Sequence, residues 1–413
     1  MDNFDVIIIG GGAAGLTAAL SASRKGAKTL ILEAAPRPGR KILASGNGRC
    51  NLANTGAPRY EGGAELAKAV LDRCSVGEVL AFLGEMGLVT CEEAGGRVYP
   101  ACGQAAAVLD VLRFALERQG VSLITGAAVT HLEKRKGGFL ARTAQGDFFA
   151  RAVVAAFGGM AGGKLGHDGG PYRLLTGLGH TLRTPRPVLT QLIAEKKDVK
   201  GLSGLRLPAI LTLCENGDAP VAAAQGEALF TDYGVSGVCA MQLSRRAGEL
   251  LQANKKPVIY LDFSPMLGLV PRIYDRVPAE PPRGNLEKMR AFLRARAHIL
   301  PREAWLPGLA PRLLAERLQG LAPDELAAAL CAFPVHVTGV KGFENAQVTA
   351  GGIPAGEFDP ETLQSLCAPG LFAAGELLDV DGDCGGFNLQ FAFASGILAG
   401  KNAAHDRYEE VSP

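Results

Sequence analysis

The feature that most constrains this fold is a glycine-rich turn between an apolar run and a helical stretch near the N-terminus. Residues 5–9 (DVIII) are continuously apolar after Asp5, which is typical of a strand buried on both faces of a parallel sheet. The run leads into Gly10, Gly12 and Gly15, which are spaced as G-x-G-x-x-G where a predicted helix begins. A second predicted strand then ends at Glu33. The pattern therefore predicts an α/β chain that begins with a βαβ unit.

Each part of this turn suits the binding of a dinucleotide. Gly10 permits the tight turn, Gly12 lets the backbone approach a pyrophosphate, and Gly15 lets the helix pack on the strand. The N-terminus of the helix stabilises phosphate charge, and Glu33 can accept hydrogen bonds from a ribose. The motif predicts a Rossmann-like dinucleotide site, but by itself it leaves FAD and NAD open.

From residue 34 to residue 56 the chain is polar and loop-like. The central part of this range is residues 36–54 (PRPGRKILASGNGRCNLAN). A loop of this length is uncommon inside a compact domain unless it is functional. A flavin has a ribityl chain and a carbonyl-rich ring that need polar partners, whereas NAD alone would not require this loop. The loop therefore favours FAD. Its cationic and neutral donors are Arg40, Lys41, Arg49, Ser45, Asn47 and Asn51.

Length and composition exclude several classes of protein. A chain of 413 residues with 47% hydrophobic and 20% charged residues predicts two or three globular domains. A net charge of +2 gives no electrostatic argument for a nucleic acid or an anionic membrane as partner. No apolar run approaches the roughly 20 residues that a membrane span needs. Nine cysteines without a C-x-x-C pair indicate reduced thiols, so we expect a cytoplasmic protein.

The pattern of apolar, polar and turn-forming residues changes several times along the chain. In order, the predicted segments are helices near 64–86 and 104–119, a β-meander over 121–157, a mainly β region over 186–262, a linker at 264–284, helices over 285–331, strands up to residue 376 and a closing helix over 388–404.

Asp379, Asp381 and Asp383 alternate near the C-terminus, as in the first half of a calcium loop. An EF-hand loop also needs Gly at its sixth position and Glu at its twelfth. Those positions are Cys384 and Gln390. Both requirements fail, and we expect no metal site here.

Five stretches together make the sequence recognisable. They are DVIIIGGGAAGLTAAL followed by Glu33, GRKILASGNGRCNLAN, GEALFTDYGVSG, AQVTAGGI and GLFAAGELLDVDGDCGGFNLQFAFASG. By them the chain resembles the BaiN/YhiN-like FAD-dependent oxidoreductases, a branch of the glutathione-reductase-type flavoproteins. The resemblance spans nearly the whole chain, although residues 245–330 match mainly by their general residue pattern and not by a motif.

The resemblance implies a Rossmann-like FAD-binding domain of the glutathione-reductase type with two insertions. The implied FAD-binding domain comprises residues 1–186 and 346–413. A β-barrel-like domain would comprise 187–263 and about 333–345, and a small helical domain 264–332.

The resemblance also implies a role for the C-terminal aspartate turn. The acid of Gly375-Glu376 would lie near the ribityl and phosphate part of FAD. Gly385, Gly386 and the helix start at Asn388 would meet the pyrimidine edge of the flavin, where a helix N-terminus stabilises negative charge. The aspartates would then shape the turn and hold backbone amides. The full set of predicted FAD contacts is Gly10, Gly12, Ala13, Ala14, Gly15, Glu33, Ala34, Gly39, Arg40, Lys41, Ser45, Gly46, Asn47, Gly48, Asn51, Val129, Ala156, Phe157, Gly158, Gly375, Glu376, Asp383, Gly385, Gly386, Asn388 and Leu389.

This sequence departs from the family pattern at several positions. Ala156-Phe157-Gly158 replaces an A-T-G-type strand end, so that a hydroxyl is lost and an aromatic ring is added. Asp232 stands where the family commonly has His, and Cys384 where it usually has Thr. These differences concern the substrate more than the cofactor.

Three residues are candidates for catalysis, and two of them have an alternative role. Tyr233 could donate a proton above the flavin, and a packing role is equally compatible with its glycine-flanked turn. Asp232 could attract a cation. Cys50 could be a redox partner of the flavin, although a buried small side chain explains it better. His167 and Asp168 could act together as a general base at the pocket, but a glycine-rich surface loop explains them equally well.

The leading hypothesis is an FAD-dependent reductase that takes hydride from transiently bound NAD(P)H and passes it to a small apolar enone of the steroid or bile-acid type. The 158–163 glycines have the wrong spacing for a second fingerprint, so a separate nicotinamide domain is not expected. An amine oxidase of the aminoacetone type, which would use oxygen, is the alternative. With 6% aromatic residues we find no aromatic cage for a cation. A non-enzymatic flavin-carrying binding protein is the second alternative, and the oligomeric state is left open.

Overall fold

The computed structural model describes residues 3–267 and 283–405, and the chain divides into two compact units. The first unit comprises Met1–Arg186 and Val348–Pro413, and the second unit comprises Pro187–Gln347. Each unit has its own buried apolar core. Most of the predicted linker, residues 268–282, lies outside the described residues.

The elements of the described residues are numbered in chain order. The strands are β1 (Asn3–Ile9), β2 (Thr29–Glu33), β3 (Ala53–Asn54), β4 (Tyr60–Gly62), β5 (Thr90–Glu93), β6 (Arg97–Pro100), β7 (Ser122–Thr125), β8 (His131–Arg135), β9 (Gly138–Thr143), β10 (Gly146–Ala155), β11 (Arg183–Val188), β12 (Leu192–Ala194), β13 (Arg206–Glu215), β14 (Ala219–Phe230), β15 (Gly234–Ser236), β16 (Val258–Asp262), β17 (Phe333–Val340), β18 (Val348–Gly352), β19 (Leu371–Ala373) and β20 (Val380–Gly382). The helices are α1 (Ala13–Ser23), α2 (Arg40–Ala44), α3 (Ala64–Arg73), α4 (Val76–Gly84), α5 (Ala105–Arg118), α6 (Arg173–Thr176), α7 (Lys196–Val199), α8 (Val238–Gln252), α9 (Arg283–Ile299), α10 (Arg312–Leu318), α11 (Pro323–Cys331) and α12 (Phe387–His405).

A mixed sheet with the order β7-β2-β1-β10-β9-β8 forms the centre of the first unit, and β19 also pairs with β10. Strands β7, β2, β1, β10 and β19 are parallel, whereas β10, β9 and β8 form antiparallel pairs. Val6, Ile7 and Ile8 are completely buried, as expected of a strand with both faces covered. The predicted Rossmann-like α/β domain is confirmed.

The predicted meander over 121–157 is only partly correct. Strands β8, β9 and β10 form it, but β7 pairs in parallel with β2. Parallel partners are joined by a crossover, and here the chain returns to the sheet through α5. Apolar alternation over four residues does not identify the partner strand, and the sequence pattern therefore missed this pairing.

The stretch predicted as a loop at 34–56 contains short regular elements. They are α2, a 3₁₀ turn at Ser45–Gly48 and β3. The helical path ends where Gly46 and Asn47 adopt left-handed φ values of 56° and 55°. Elements this short and polar have no amphipathic period, so the pattern could not reveal them.

Helix α12, predicted over 388–404, packs backbone to backbone on α1. A Cβ on Gly400 would lie 2.0 Å from the carbonyl oxygen of Ala18, and one on Gly396 would lie 2.3 Å from that of Ala14. The Ser21 hydroxyl also donates a 2.8 Å hydrogen bond to α12. The two ends of the chain are thereby joined behind the glycine-rich turn.

The second unit contains a closed barrel with the strand order β12-β15-β14-β13-β16-β17. Helices α9, α10 and α11 contribute Leu293, Leu314 and Leu326 to the same core. The predicted inserted barrel and the predicted helices are confirmed. Helix α8 was missed within the region predicted as mainly β, although its buried Leu243 and Ala247 have helical spacing.

Candidate FAD site

The glycine-rich turn has the geometry that its spacing predicts. Gly10 has a φ of 107°, and a Cβ there would lie 2.6 Å from the carbonyl oxygen of Ala156. A Cβ on Gly15 would lie 1.8 Å from the carbonyl oxygen of Gly10. A Cβ on Gly12 would meet no described atom within 4 Å. The backbone at the start of α1, which continues with Ala13 and Ala14, therefore borders free space in which a pyrophosphate can lie.

Glu33 is held at this turn by its own carboxylate. Oε2 accepts the Gly11 N–H at 2.5 Å, and Oε1 accepts the Ala35 N–H at 2.7 Å. Each carboxylate oxygen can accept a further hydrogen bond. The side chain is thus oriented beside the turn with acceptor capacity left for the hydroxyls of a ribose.

The polar loop begins against the same turn. The Gly39 N–H donates to the Gly11 carbonyl oxygen at 2.8 Å, and Gly39 itself has a φ of 71°. Arg40 donates to the carbonyl oxygen of Lys164 at 2.9 Å. Arg49 pairs with the exposed Glu93 at 2.5 Å, so its charge is directed to β5 and not to the loop.

The two ends of the chain meet at Asn51. A Cβ on Gly386, which has a φ of 109°, would lie 2.7 Å from Asn51 Oδ1 and 2.4 Å from the carbonyl oxygen of Ala53. Asn54 Nδ2 donates to the Gly385 carbonyl oxygen at 2.8 Å. Asn51 Oδ1 is buried and has no hydrogen-bond partner among the described residues. A buried amide oxygen without a donor is a place where a ligand N–H can bind.

Cys50 lies in the same loop and is completely buried. Burial raises the pKa of its thiol to about 11. A thiol with this pKa is protonated near neutral pH and is a poor nucleophile. The surroundings are those of a buried small side chain, and the redox role of Cys50 stays an unsupported prediction.

Glu376 has both carboxylate oxygens engaged by protein groups. Oε2 pairs with Lys41 Nζ at 2.8 Å, and Oε1 accepts the Thr349 N–H at 2.8 Å. The Thr349 hydroxyl in turn accepts the N–H of Ala161 at 3.0 Å. Sequence reasoning missed Thr349, because nothing in its local pattern distinguishes it from other strand threonines.

The aspartate turn binds the protein's own groups. Asp379 accepts the Gly351 N–H at 2.8 Å and pairs with Arg183 at 2.7 Å. Asp381 lies on β20, which pairs with β4. Burial raises the pKa of the Asp383 carboxyl. Asp379 therefore has the predicted role of holding a backbone amide.

Asn388 closes the turn that precedes α12. Its Oδ1 accepts the N–H of Gly382 at 2.8 Å, and its Nδ2 donates to the carbonyl oxygen of the same residue at 2.8 Å. These two hydrogen bonds fix the Asn388 side chain to the turn. Leu389 follows on the first turn of α12 and is partly buried.

An aromatic cluster lies at the end of β10. Phe157 contacts His167 and Tyr172 edge to face, with ring centroids 5.5 and 5.7 Å apart. The Tyr172 hydroxyl is buried and has no partner among the described residues. Sequence reasoning did not single out Tyr172, since its partners are brought together only by the fold.

The hypothesis that His167 and Asp168 act together as a general base is not supported. His167 Nδ1 accepts the Gly169 N–H at 2.9 Å, so Nε2 carries the proton and donates to the Gly158 carbonyl oxygen at 3.0 Å. Burial lowers the pKa of His167, which keeps it neutral. Asp168 accepts the N–H of Gly170. Both side chains hold the glycine-rich loop.

The remaining predicted contacts lie in coil or turn segments of the first unit. Ala34 follows β2, Val129 precedes β8, and Ser45 donates to the carbonyl oxygen of Ile42 at 2.7 Å. Gly46, Asn47 and Gly48 form the left-handed part of the polar loop.

Two catalytic candidates belong to the second unit. Asp232 is exposed and Tyr233 is half-buried in the turn between β14 and β15. Lys341 Nζ lies 4.0 Å from the centre of the Tyr233 ring, and the Tyr233 carbonyl oxygen accepts the N–H of Ala194 at 2.9 Å. Their catalytic roles stay predictions.

The first unit fits FAD on three structural observations. The start of α1 borders free space at Gly12, Asn51 Oδ1 is buried without a partner among the described residues, and Gly385 and Gly386 have positive φ values in the turn that lies against Asn51 and Asn54. The first of these features follows the carboxyl end of the parallel strand β1, where ligands bind to such folds. A Rossmann-like domain with this site and an inserted barrel defines the class of flavoprotein oxidoreductases.

Comparisons with known proteins agree with this class. A family profile described as the HI0933-like protein Rossmann domain matches residues 4–402. The 3-dehydro-bile acid delta(4,6)-reductase of Clostridium scindens is 38% identical over 96% of this chain and 98% of its own length. The ribosomal RNA dihydrouridine synthase of Escherichia coli is 28% identical over 96% of each chain.

Among solved structures, a 3-ketosteroid delta1-dehydrogenase from Sterolibacterium denitrificans superposes with a TM-score of 0.50 at 13% identity, and the match covers 98% of this chain and 100% of that one. This likeness shows the fold alone.

The chain belongs to the HI0933-like family. The resemblance to BaiN/YhiN-like proteins and the expectation of an FAD-dependent oxidoreductase are confirmed. The non-enzymatic alternative is left without support. Among the helices of the described residues, none has the length and apolar character of a membrane span.

Proposed function

We propose that this protein is an NAD(P)H-linked reductase of a small apolar enone. The observation that carries the proposal is the 38% identity, over nearly the whole of both chains, to a 3-dehydro-bile acid delta(4,6)-reductase. The proposal covers the electron donor, the substrate class and the direction of the reaction.

The names of two relatives denote one kind of chemistry. A 3-dehydro compound with a delta(4) double bond has a C=C conjugated with a ketone, and the formation of dihydrouridine saturates a C=C conjugated with a carbonyl. In both reductions a hydride adds to the β-carbon and a proton adds to the α-carbon. The proposed reaction therefore needs a hydride carrier, a polarised carbonyl and a proton donor.

Bound FAD supplies the hydride chemistry in this scheme. The chain's own residues bind and orient it: the start of α1 accommodates the pyrophosphate, Glu33 accepts from a ribose, and Asn51 Oδ1 accepts a ligand N–H. Tyr233 remains the proposed proton donor to the α-carbon, since a phenol hydroxyl is a hydrogen-bond and proton donor. NAD(P)H would bind transiently, because the chain has no second dinucleotide fingerprint.

Three arginines of the second unit have partners within the protein, which gives one argument for a small substrate over RNA. Arg294 is paired with Asp324 at 2.6 Å, and Arg312 with Glu316 at 2.7 Å. Arg296 donates to two backbone carbonyl oxygens. Basic groups committed to internal partners are less available for the phosphate contacts that dominate RNA affinity.

The test is anaerobic stopped-flow spectroscopy of the FAD-loaded protein. NADH or NADPH should bleach the flavin, and a 3-keto-4-ene steroid should then restore its colour quickly, whereas the saturated 3-ketosteroid should not. Tyr233→Phe should slow reoxidation by the enone and leave reduction unchanged, because only the second half-reaction needs a proton donor.

Three outcomes would contradict the proposal. Bleaching by an amine but by neither nicotinamide would indicate an amine oxidase. Reoxidation by a uridine-containing ribosomal RNA fragment, with no response to the enone, would assign the other substrate class. Fast reoxidation of the reduced flavin by oxygen, with no response to the enone, would contradict the assignment as a reductase.

A further inference from the structure

The ion pair between Lys41 and Glu376 joins the polar loop to the C-terminal turn of the first unit. Its atoms are 2.8 Å apart, and the side chains are 31% and 21% exposed. Lys41 Nζ also lies 3.4 Å from the carbonyl oxygen of Gly159. A pair with this burial is screened less by solvent than a surface pair.

Lys41 has donor capacity left for a ligand. An ammonium has three N–H donors, and Glu376 and the Gly159 carbonyl account for two of them. The Glu376 oxygens are each already bound, one by Lys41 and one by the Thr349 N–H. Glu376 thereby fixes the position of the Lys41 ammonium.

The order of the strands assigns this pair to one end of the cofactor. Glu33 ends β2, which lies on one side of β1, and it marks the adenosine end of the site. Gly159 and Glu376 follow β10 and β19, which lie on the other side of β1. Bound FAD would run from an adenosine beside Glu33 to a pyrophosphate at the start of α1. The Lys41–Glu376 pair therefore lies on the side of the ribityl chain and the flavin ring.

We propose that the Lys41–Glu376 pair is an electrostatic device that sets the reduction potential of the bound flavin. Lys41 donates its remaining N–H toward the flavin end of the cofactor and stabilises the negative charge gained on reduction. Glu376 holds the ammonium and offsets part of its charge. This inference rests on the FAD site and not on the identity of the substrate.

The test is the midpoint potential of the FAD-loaded variants, measured with a reference dye under nitrogen. Lys41→Met leaves an uncompensated carboxylate and should make the potential more negative. Glu376→Gln leaves an uncompensated ammonium and should make it more positive. Each change should alter the ratio of the affinities for reduced and oxidised FAD about tenfold, the scale of one charge interaction in a half-buried site.

The opposite signs separate an electrostatic role from structural damage, which would shift both variants alike. Lys68→Met is the matched control, since it removes a lysine from the exposed pair with Asp72 on α3, and it should leave the potential unchanged. If Lys41→Met weakened the binding of oxidised and reduced FAD equally, the ammonium would lie at the pyrophosphate, and the proposal would be overturned. Shifts of the same sign in both variants would also overturn it. The potential is read without any substrate, so failure of enone reduction would leave this result independent.

Discussion

At the scale of single residues, Glu33 connects a sequence motif to a measurable affinity. Its carboxylate accepts the N–H groups of Gly11 and Ala35 and faces the space beside the glycine-rich turn. Glu33→Ala removes the acceptor for these two donors and for the proposed ribose contact. We expect FAD binding to weaken by about 1–3 kcal/mol.

Titration of the apoprotein with FAD, followed by flavin fluorescence, measures this change. Glu117→Ala, on the exposed side of α5, is the control and should bind FAD as the wild type does. An unchanged affinity of the Glu33→Ala variant would mean that this carboxylate serves the turn alone.

At the scale of elements, the packing of α12 on α1 depends on glycine. A Cβ on Gly396 would lie 2.3 Å from the Ala14 carbonyl oxygen and 2.4 Å from Thr17 Oγ1. Gly396→Ala should force the helices apart and lower the free energy of unfolding by about 1–3 kcal/mol. Since α1 borders the proposed pyrophosphate site, FAD affinity should fall as well.

Urea unfolding followed by circular dichroism tests this expectation. Gly84→Ala is the matched control, because Gly84 is also helical and a Cβ there would meet no described atom within 4 Å. That variant should be as stable as the wild type or slightly more stable, since alanine favours helix over glycine. Equal stability of both variants would show that the helices adjust without cost.

At the scale of the whole molecule, FAD should stabilise the first unit by joining the two ends of the chain. The predicted contacts come from Met1–Arg186 and from Val348–Pro413, which form one compact unit. FAD at a hundred times its dissociation constant should add about 2.7 kcal/mol to the stability of that unit. Hydrogen exchange should show the protection at α1, the polar loop and the start of α12, and not in the barrel strands of the second unit.

Calcium in place of FAD is the control for this measurement. It should leave the melting temperature unchanged, because Asp379 is already bound to Arg183 and to a backbone amide. A calcium-dependent rise in melting temperature would contradict the assignment of the aspartate turn. Protection by FAD confined to the barrel would contradict the cofactor site itself.

The sequence by itself determined the features whose causes lie within a few residues. The spacing of Gly10, Gly12 and Gly15 required a tight turn at the end of β1, because a Cβ has no room at the first and third positions. The apolar run of β1 and the length of α12 were predictable for the same reason. Local sterics and local periodicity act over the distances that a sequence pattern displays.

Only the tertiary structure decided the features whose partners are distant in the chain. Strand β7 pairs with β2 through a crossover, Thr349 and Lys41 meet at Glu376, and Phe157 contacts Tyr172. None of these pairs has a local signal, since each residue is an ordinary one in its own segment. Their proximity follows from the order of the strands in the sheet, which depends on the burial of the whole core and not on any single stretch of sequence.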